Sequence, residues 1–245
     1  MRGSFAALAL ALATLITSPA SASVTAGVPV LMYHKVDPKT PRDAVGRALT
    51  LDPAAFEEQL RYLRVHGIRT LTLAELVAEL AAGRHPQHAV VLTFDDGYTD
   101  AATYVTPLLV KYGARASFYV SAGFIGDGRH LDWRQLRAMR AAGMEIGCHG
   151  TFHLDLAQLD RAAATREIGH CGEAVGRYLA RPTTYAYAAG KWNATTREVL
   201  AASGFTAAVT ERPGTVASLA TPYELPRRRV DRDDRIAAFA ALVSP

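Results

Sequence analysis

The chain is poor in cysteine, in aromatic residues and in surplus charge of either sign. Only 2 of its 245 residues are cysteine, which excludes a disulfide-dense small scaffold and a cysteine-rich zinc module. Any metal site must therefore be built from histidine and carboxylate. Lys and Arg number 27 against 23 Asp and Glu, a formal net charge of +4. The excess is spread out apart from Arg227-Arg228-Arg229, and no basic stripe is interleaved with aromatics, so nucleic acid is not an expected partner. Aromatics make up 8% of the chain, yet hydrophobic residues reach 49%. That is enough for a sizeable core and excludes a disordered protein.

Long apolar runs are missing too. The one near the N-terminus, Phe5 to Ile16, is 12 residues against the roughly 20 that span a bilayer. Arg2 precedes it and Ser18-Pro19-Ala20-Ser21-Ala22 follows, the pattern of a signal peptide over residues 1–22 cleaved near Ala22. No cysteine follows the apolar run, which argues against a lipid anchor there. The expectation is an exported protein, periplasmic or secreted, with no integral membrane segment in its mature form. No linker or repeat divides residues 23–245, so they read as one domain, taken as a monomer.

Short apolar strand candidates recur along that domain: Val28 to Tyr33, Ile68 to Leu71, Val90 to Phe94, Ala116 to Val120, Met144 to Cys148, Thr183 to Tyr187, Phe205 to Val209 and Leu225 to Val230. Amphipathic helices lie between most of them. Asp52-Pro53 opens one carrying Phe56, Leu60 and Leu63 on one face, ended by Gly67. Thr72 and Glu75 form a capping box for a second. Asp132 caps a third with Leu136 and Met139, and Asn193 opens a fourth with Val199 and Leu200. Strands alternating with helices argue for an α/β fold with a parallel sheet, and eight such strands for a distorted (β/α) barrel of seven to eight parallel strands. Chemistry in such a barrel sits where strands end and the following loops begin.

Polar residues gather at those ends. The strand closing at Phe94 runs into Asp95-Asp96-Gly97. A bare Asp-Asp-Gly is most often a solvated turn, but here two like charges follow a buried strand, which is costly. The strand ending at Cys148 runs into His149-Gly150-Thr151-Phe152-His153. Histidines at i and i+4 share one side of a helical turn, so both rings can meet one cation. An isolated pair of this kind is a weak signal; with the Asp pair it gives two nitrogens and one oxygen, the ligand set of an open catalytic site. The same set suits Fe(II), although iron oxygenases use other scaffolds. A third strand ends in Tyr33-His34, a capped core histidine or a proton donor.

Together these residues resemble the NodB-type polysaccharide deacetylases of carbohydrate esterase family four, over nearly the whole stretch from Val28 to Val230. Thr93-Phe94-Asp95-Asp96-Gly97-Tyr98 is similar to that family's first motif, which implies Asp95 as general base and Asp96 as metal ligand. His149 and His153 match the paired ligands of its second motif. The opening Pro29-Val30-Leu31-Met32-Tyr33-His34 resembles the subgroup that de-N-acetylates exported poly-N-acetylglucosamine, which implies His34, as an imidazolium, for the catalytic acid; residues 236–245 hold no histidine that would compete. Leu225-Pro226-Arg227 resembles a late strand whose arginine orients the catalytic carboxylate, here Arg227. The implied cofactor is a divalent ion, zinc foremost, with nickel, cobalt or iron as alternatives. The implied substrate is an acetylated amino-sugar polysaccharide.

Two departures stand out. Gly150 follows the first histidine where the family has serine or threonine. The third motif reads Tyr185-Ala186-Tyr187-Ala188-Ala189-Gly190, without the usual proline and ring. The Ala189 N–H can still serve as an oxyanion donor, since a main-chain group survives side-chain change, and Tyr187 or Trp192 is then the candidate sugar wall. Rival readings are the same chemistry on peptidoglycan, chitin oligomers or O-acetyl esters, and an inactive polysaccharide-binding module. Cys148 and Cys171 could form a disulfide in an export compartment; that question stays open, with free thiols favoured because Cys148 sits on a buried strand beside a ligand. His66, His85, His88, His130 and His170 are read as solvent-facing, Asp132 as a helix cap and Trp133 as core or groove border. One member of the arginine run is expected to turn inward.

Overall fold

The computed structural model describes residues 27–244, so the expected signal peptide and its cleavage point lie outside the described residues. In chain order the elements are β1 (Val28–Tyr33), β2 (Lys35–Val36), α1 (Ala44–Leu49), β3 (Thr50–Leu51), α2 (Pro53–Val65), β4 (Arg69–Leu71), α3 (Leu73–Ala81), β5 (Ala89–Phe94), α4 (Thr106–Tyr112) and β6 (Ser117–Val120). They continue with α5 (Trp133–Ala141), β7 (Glu145–Cys148), α6 (Arg161–Tyr178), β8 (Thr184–Ala186), α7 (Ala194–Ala202), β9 (Ala207–Val209), β10 (Thr215–Val216), β11 (Arg228–Arg229) and α8 (Ile236–Val243).

Strands β1, β5, β6, β7, β8 and β9 pair in that order, all parallel. The segment that ends in β11 closes the ring: Leu225 bridges to Val209, and Arg228 and Arg229 pair with Leu31 and Met32. Seven parallel staves therefore make the distorted barrel that the alternation of elements implies. β4 is not a separate stave. It pairs with Ala89 to Val91, on the edge that β6 takes from Thr93 onward. β10 adds an antiparallel pair beside the start of β1.

Strand alternation sorts the core into two layers. Val28 and Val30, Ala89 and Val91, and Ala207 and Val209 share an inner cluster with Leu73, Leu76 and Val77 of α3, which plugs one end of the barrel. Leu31 and Tyr33, Leu92 and Phe94, and Phe118 face outward to the helices. There Phe94 stacks between Tyr33 at 4.9 Å and Phe118 at 5.0 Å, with Phe56 edge-on to Phe94 at 5.7 Å. Such pairs add about 0.5–1.5 kcal/mol each beyond the area they bury. Because Ala89 and Val91 point inward, Thr93 and Asp95 continue the same row into the barrel mouth.

The expected helix starts hold. Asp52, Thr72, Asp132 and Asn193 each cap their helix, the last three as reciprocal capping boxes. α6, the longest helix at 18 residues, is not among those the periodicity singled out, because Gly169, Gly172 and Gly176 interrupt it. Its buried face nonetheless follows helical spacing through Ala164, Ile168, Cys171 and Val175.

The open question of the cysteines is answered against the favoured free thiols. Cys148 and Cys171 form a disulfide between the end of β7 and α6. Burial of Cys148 on its strand does not isolate it, because α6 packs directly against β7 and brings the partner within a Cα separation of 6.0 Å.

Candidate active site

Asp95 and Asp96 are neighbours with opposite environments. Asp95 is buried in the barrel mouth, and Arg227, 1% exposed, approaches it from the β11 side. The guanidinium donates to both carboxylate oxygens, at 2.8 and 2.7 Å, and to Thr93 Oγ1 at 3.0 Å and the Thr210 carbonyl at 2.9 Å. Burial pushes the Asp95 carboxyl up, but the guanidinium outweighs it and holds the group below the ordinary carboxylate range. Arg227 is the inward member of the arginine run; Arg228 and Arg229 are half-buried.

Asp96 turns the other way through a left-handed backbone, φ 72°. The next residue, also left-handed, has to be glycine, since a Cβ on Gly97 would lie 2.9 Å from Val120 Cγ1. The turn sets Asp96 Oδ1 3.4 Å from both His149 Nε2 and His153 Nε2. The ligating atoms of the three residues all lie within 4.8 Å of one another. Ligands about 2.0–2.1 Å from a tetrahedral zinc stand roughly 3.3 Å apart, so the cluster fits such an ion. His149 Nδ1 lies 2.7 Å from the Ala186 carbonyl at the end of β8, which leaves Nε2 to face the cluster. Burial lowers the His149 pKa and the contact with Asp96 more than offsets it, so the net shift is upward.

The two histidines do not share a helical turn. His149 follows β7, Gly150 is left-handed, and His153 has φ 57°. The rings meet at a centroid distance of 4.8 Å because the loop doubles back. Three of the four non-glycine residues with positive φ among those described (Asp96, His153 and Ala189) sit on these strand-end loops. Backbone held in such regions costs about 1–3 kcal/mol each and clusters at functional sites.

His34 lies at the end of β1, half-buried. Burial pulls its pKa down, and the nearby Asp95 and Asp96 carboxylates only partly restore it. Ala189 sits three residues past the carbonyl that holds His149, in a single tight turn, with φ 48°. Tyr187 is not available as a sugar wall: it is fully buried and its hydroxyl donates to the Tyr223 carbonyl at 2.9 Å. Trp192 is half-buried, stacked on Tyr187 and flanked by Arg197 and Arg212.

The aromatic lining lies elsewhere. A groove of about 650 Å³ opens beside Asp96 and His153 and is walled by Tyr98, Phe124, His130 and Phe152, with Lys35 over the Tyr98 ring at 3.9 Å. Phe152 is 57% exposed. His130, read as solvent-facing, is instead 11% exposed at its side chain, stacked on Tyr98 and Phe124 and bonded to Asp127. Its place after a loop of glycines hides this from the sequence. His66, His85, His88 and His170 are exposed as expected. Trp133 stacks on Tyr178 of α6 against the core.

A parallel barrel with carboxylates and histidines at one rim is the arrangement of a barrel hydrolase, and comparison with known proteins agrees. The family model for polysaccharide deacetylases matches residues 82–208, a span holding Asp95, Asp96, His149 and His153 but neither His34 nor Arg227. The chain is 30% identical over 220 residues to YxkH of Bacillus subtilis (strain 168), named as a polysaccharide deacetylase; the match covers 89% of this chain and 76% of that one. The structure of the Streptococcus pyogenes deacetylase PplD in complex with acetate superposes with a TM-score of 0.85 at 26% identity, covering 90% of this chain and all of that one. The poly-beta-1,6-N-acetyl-D-glucosamine N-deacetylase of Escherichia coli (strain K12) is 33% identical over 87 residues, 35% of this chain and 12% of that protein. The chain belongs to the polysaccharide deacetylase family. It is a hydrolase of that class, acting on acetylated polysaccharide. No helix among the described residues is long and apolar enough to cross a membrane.

Proposed function

We propose that the chain removes N-acetyl groups from an exported amino-sugar polymer of the poly-N-acetylglucosamine kind, and that residues 23–245 form the catalytic domain released by cleavage near Ala22. The observation that carries this reading is the meeting of an arginine-held carboxylate, Asp95, with the Asp96, His149 and His153 cluster at one barrel rim. The polymer is suggested by the E. coli relative's name and by the β1 ending Tyr33-His34. The disulfide supports export, since such bonds persist in oxidising compartments.

Asp96, His149 and His153 would hold a divalent ion, zinc by donor type. Such an ion supplies Lewis acidity toward the acetyl carbonyl and lowers the pKa of water. Asp95, kept ionised by Arg227, takes a proton from the attacking water. The water oxygen forms the new C–O bond, and the Ala189 N–H supports the oxyanion. His34 protonates the departing nitrogen as the C–N bond breaks, giving acetate and a free amine. The protonated share of His34 is small at neutral pH, and its lowered pKa makes that share a stronger donor. Tyr98, Phe124 and Phe152 replace Tyr187 as the surfaces on which sugar rings stack.

The test is acetate release by residues 23–245 from poly-N-acetylglucosamine, chitin oligomers and peptidoglycan, with and without a chelator. Release is expected from the first, abolished by chelation and restored by zinc. Release from another polymer alone would replace the substrate, and no release from any would favour a binding module.

A further inference from the structure

We propose that Glu167 of α6 is a positioning residue for His153. The inference rests on the reading of Asp96, His149 and His153 as metal ligands. Glu167 is 5% exposed, and among the described residues no Lys or Arg lies within ion-pair distance of it. Its carboxylate instead faces the ligand loop. Oε1 accepts from the Phe152 N–H at 2.8 Å and reaches the Leu154 N–H at 3.4 Å. Those are the two amides that flank His153. The Glu167 carbonyl also accepts from Thr151 Oγ1 at 2.8 Å. A buried carboxylate is tolerated only when hydrogen-bonded, and these donors come from the loop that carries the histidine.

The same contact explains why glycine follows His149. A Cβ on Gly150 would lie 2.5 Å from Glu167 Oε1 and 3.2 Å from Tyr185 Oη, and the residue has φ 87°. The hydroxyl residue expected there from the family resemblance is absent, and the space is taken by the Glu167 carboxylate. One helical turn further along α6, Cys171 is bridged to Cys148, the residue before His149. α6 thus holds the loop on both sides: covalently before the first histidine and through a carboxylate around the second. Since His153 sits in a strained left-handed conformation, losing the clasp lets the loop relax away from Asp96. Groups that orient metal ligands without touching the ion are commonly worth 10- to 100-fold in metal affinity.

The experiment compares zinc affinity, by competition with a chromogenic chelator, for wild type, Glu167→Gln, Glu167→Ala and Leu136→Ala, with Tm recorded for each. Leu136 is a buried residue of α5, outside the loop and outside the hydrogen bonds that Glu167 makes to it. Glu167→Ala is expected to weaken zinc about 10- to 100-fold. Glu167→Gln keeps one acceptor oxygen and is expected to fall between it and wild type. Leu136→Ala is expected to lower Tm and leave zinc affinity unchanged. Wild-type affinity in both Glu167 variants, or an equal loss in Leu136→Ala at matched Tm, overturns the proposal. If Glu167→Ala does not fold, Glu167→Gln against wild type decides in the same way. A wild-type protein that binds no zinc sinks the metal reading itself, which is a different result from intact binding that ignores Glu167.

Discussion

The two ends of the barrel both place carboxylates among polar neighbours, and they do so differently. At the end where strands begin, Glu145, Ser117 and Thr184 are the first residues of β7, β6 and β8. Glu145 accepts from Ser117 Oγ at 2.7 Å, Thr184 Oγ1 at 2.5 Å and the Ala74 N–H of α3 at 3.0 Å. All of those donors are neutral and all belong to the plug or the staves. At the end where strands finish, Asp95 is locked by a buried guanidinium and Asp96 faces two imidazole nitrogens. The first arrangement saturates its carboxylate and joins elements together. The second keeps two carboxylates ionised a residue apart, one beside ring nitrogens that suit a cation, on backbone bent into costly conformations. Burial of acid groups alone therefore does not mark the reactive end; the nature of their partners does.

Exchanging one atom at each end gives the largest expected contrast. Asp95→Asn should lower kcat by about 10²- to 10⁴-fold, the usual contribution of a general base, while zinc still binds. Glu145→Gln should leave kcat unchanged and cost about 1–3 kcal/mol of stability, because one oxygen facing hydroxyl donors becomes an amide. Acetate release, zinc titration and urea denaturation on both variants check this. Full activity in Asp95→Asn would remove it as the base.

Next in size is the ion pair that holds Asp95. Arg227→Met leaves a buried carboxylate unpaired and should cost about 3–5 kcal/mol. The pH dependence follows from the direction of the Asp95 shift. Its folded pKa lies below the unfolded value of roughly 3.9, so the pair stabilises fully above that pH. The contribution is lost as pH falls through the lower folded value. Denaturation curves from neutral pH down to about pH 3 should show that acid-labile share in wild type and not in the variant. An equal acid sensitivity in both would mean that Arg227 does not set the state of Asp95.

Most of this rim was legible in the sequence, for a physical reason: an apolar strand that ends abruptly in Asp-Asp-Gly or His declares both its direction and its mouth. Asp95, Asp96, His149 and His153 could be placed from such endings, whereas alternation along the arginine run predicts one inward member without saying which; Arg227, just before β11, comes from the resemblance of Leu225-Pro226-Arg227. What stayed hidden depends on contacts distant in sequence. The helical face that places Cys171 one turn past Glu167 is broken up by glycines, and only packing of α6 on β7 brings it to the ligand loop. The spacing of His149 and His153 suggested a helical turn, whereas glycine and a left-handed His153 deliver the same meeting of rings through a loop. Tyr187 stands as a candidate wall because the third motif lacks its usual ring, yet its hydroxyl finds a carbonyl 36 residues away and the ring lies in the core.

The smallest expected effect sharpens the reactive end itself by separating the ion cluster from the groove beside it. Phe152 lies between His149 and His153 in sequence, is 57% exposed and lines the groove, edge-on to Phe124 at 6.5 Å. Its backbone N–H serves Glu167, and a side-chain change leaves that bond in place. Phe152→Ala should therefore raise KM for an oligosaccharide substrate by about 2- to 10-fold, the worth of one stacking contact of roughly 0.5–1.5 kcal/mol. kcat and zinc affinity should stay as in wild type. Trp192→Ala provides the contrast, because that ring packs on Tyr187 and between two arginines and does not line the groove. A rise in KM for Trp192→Ala with none for Phe152→Ala would move the sugar-facing wall to the loop after β8. A fall in kcat for Phe152→Ala at constant KM would show that the ring acts on the ligand loop instead of on the substrate.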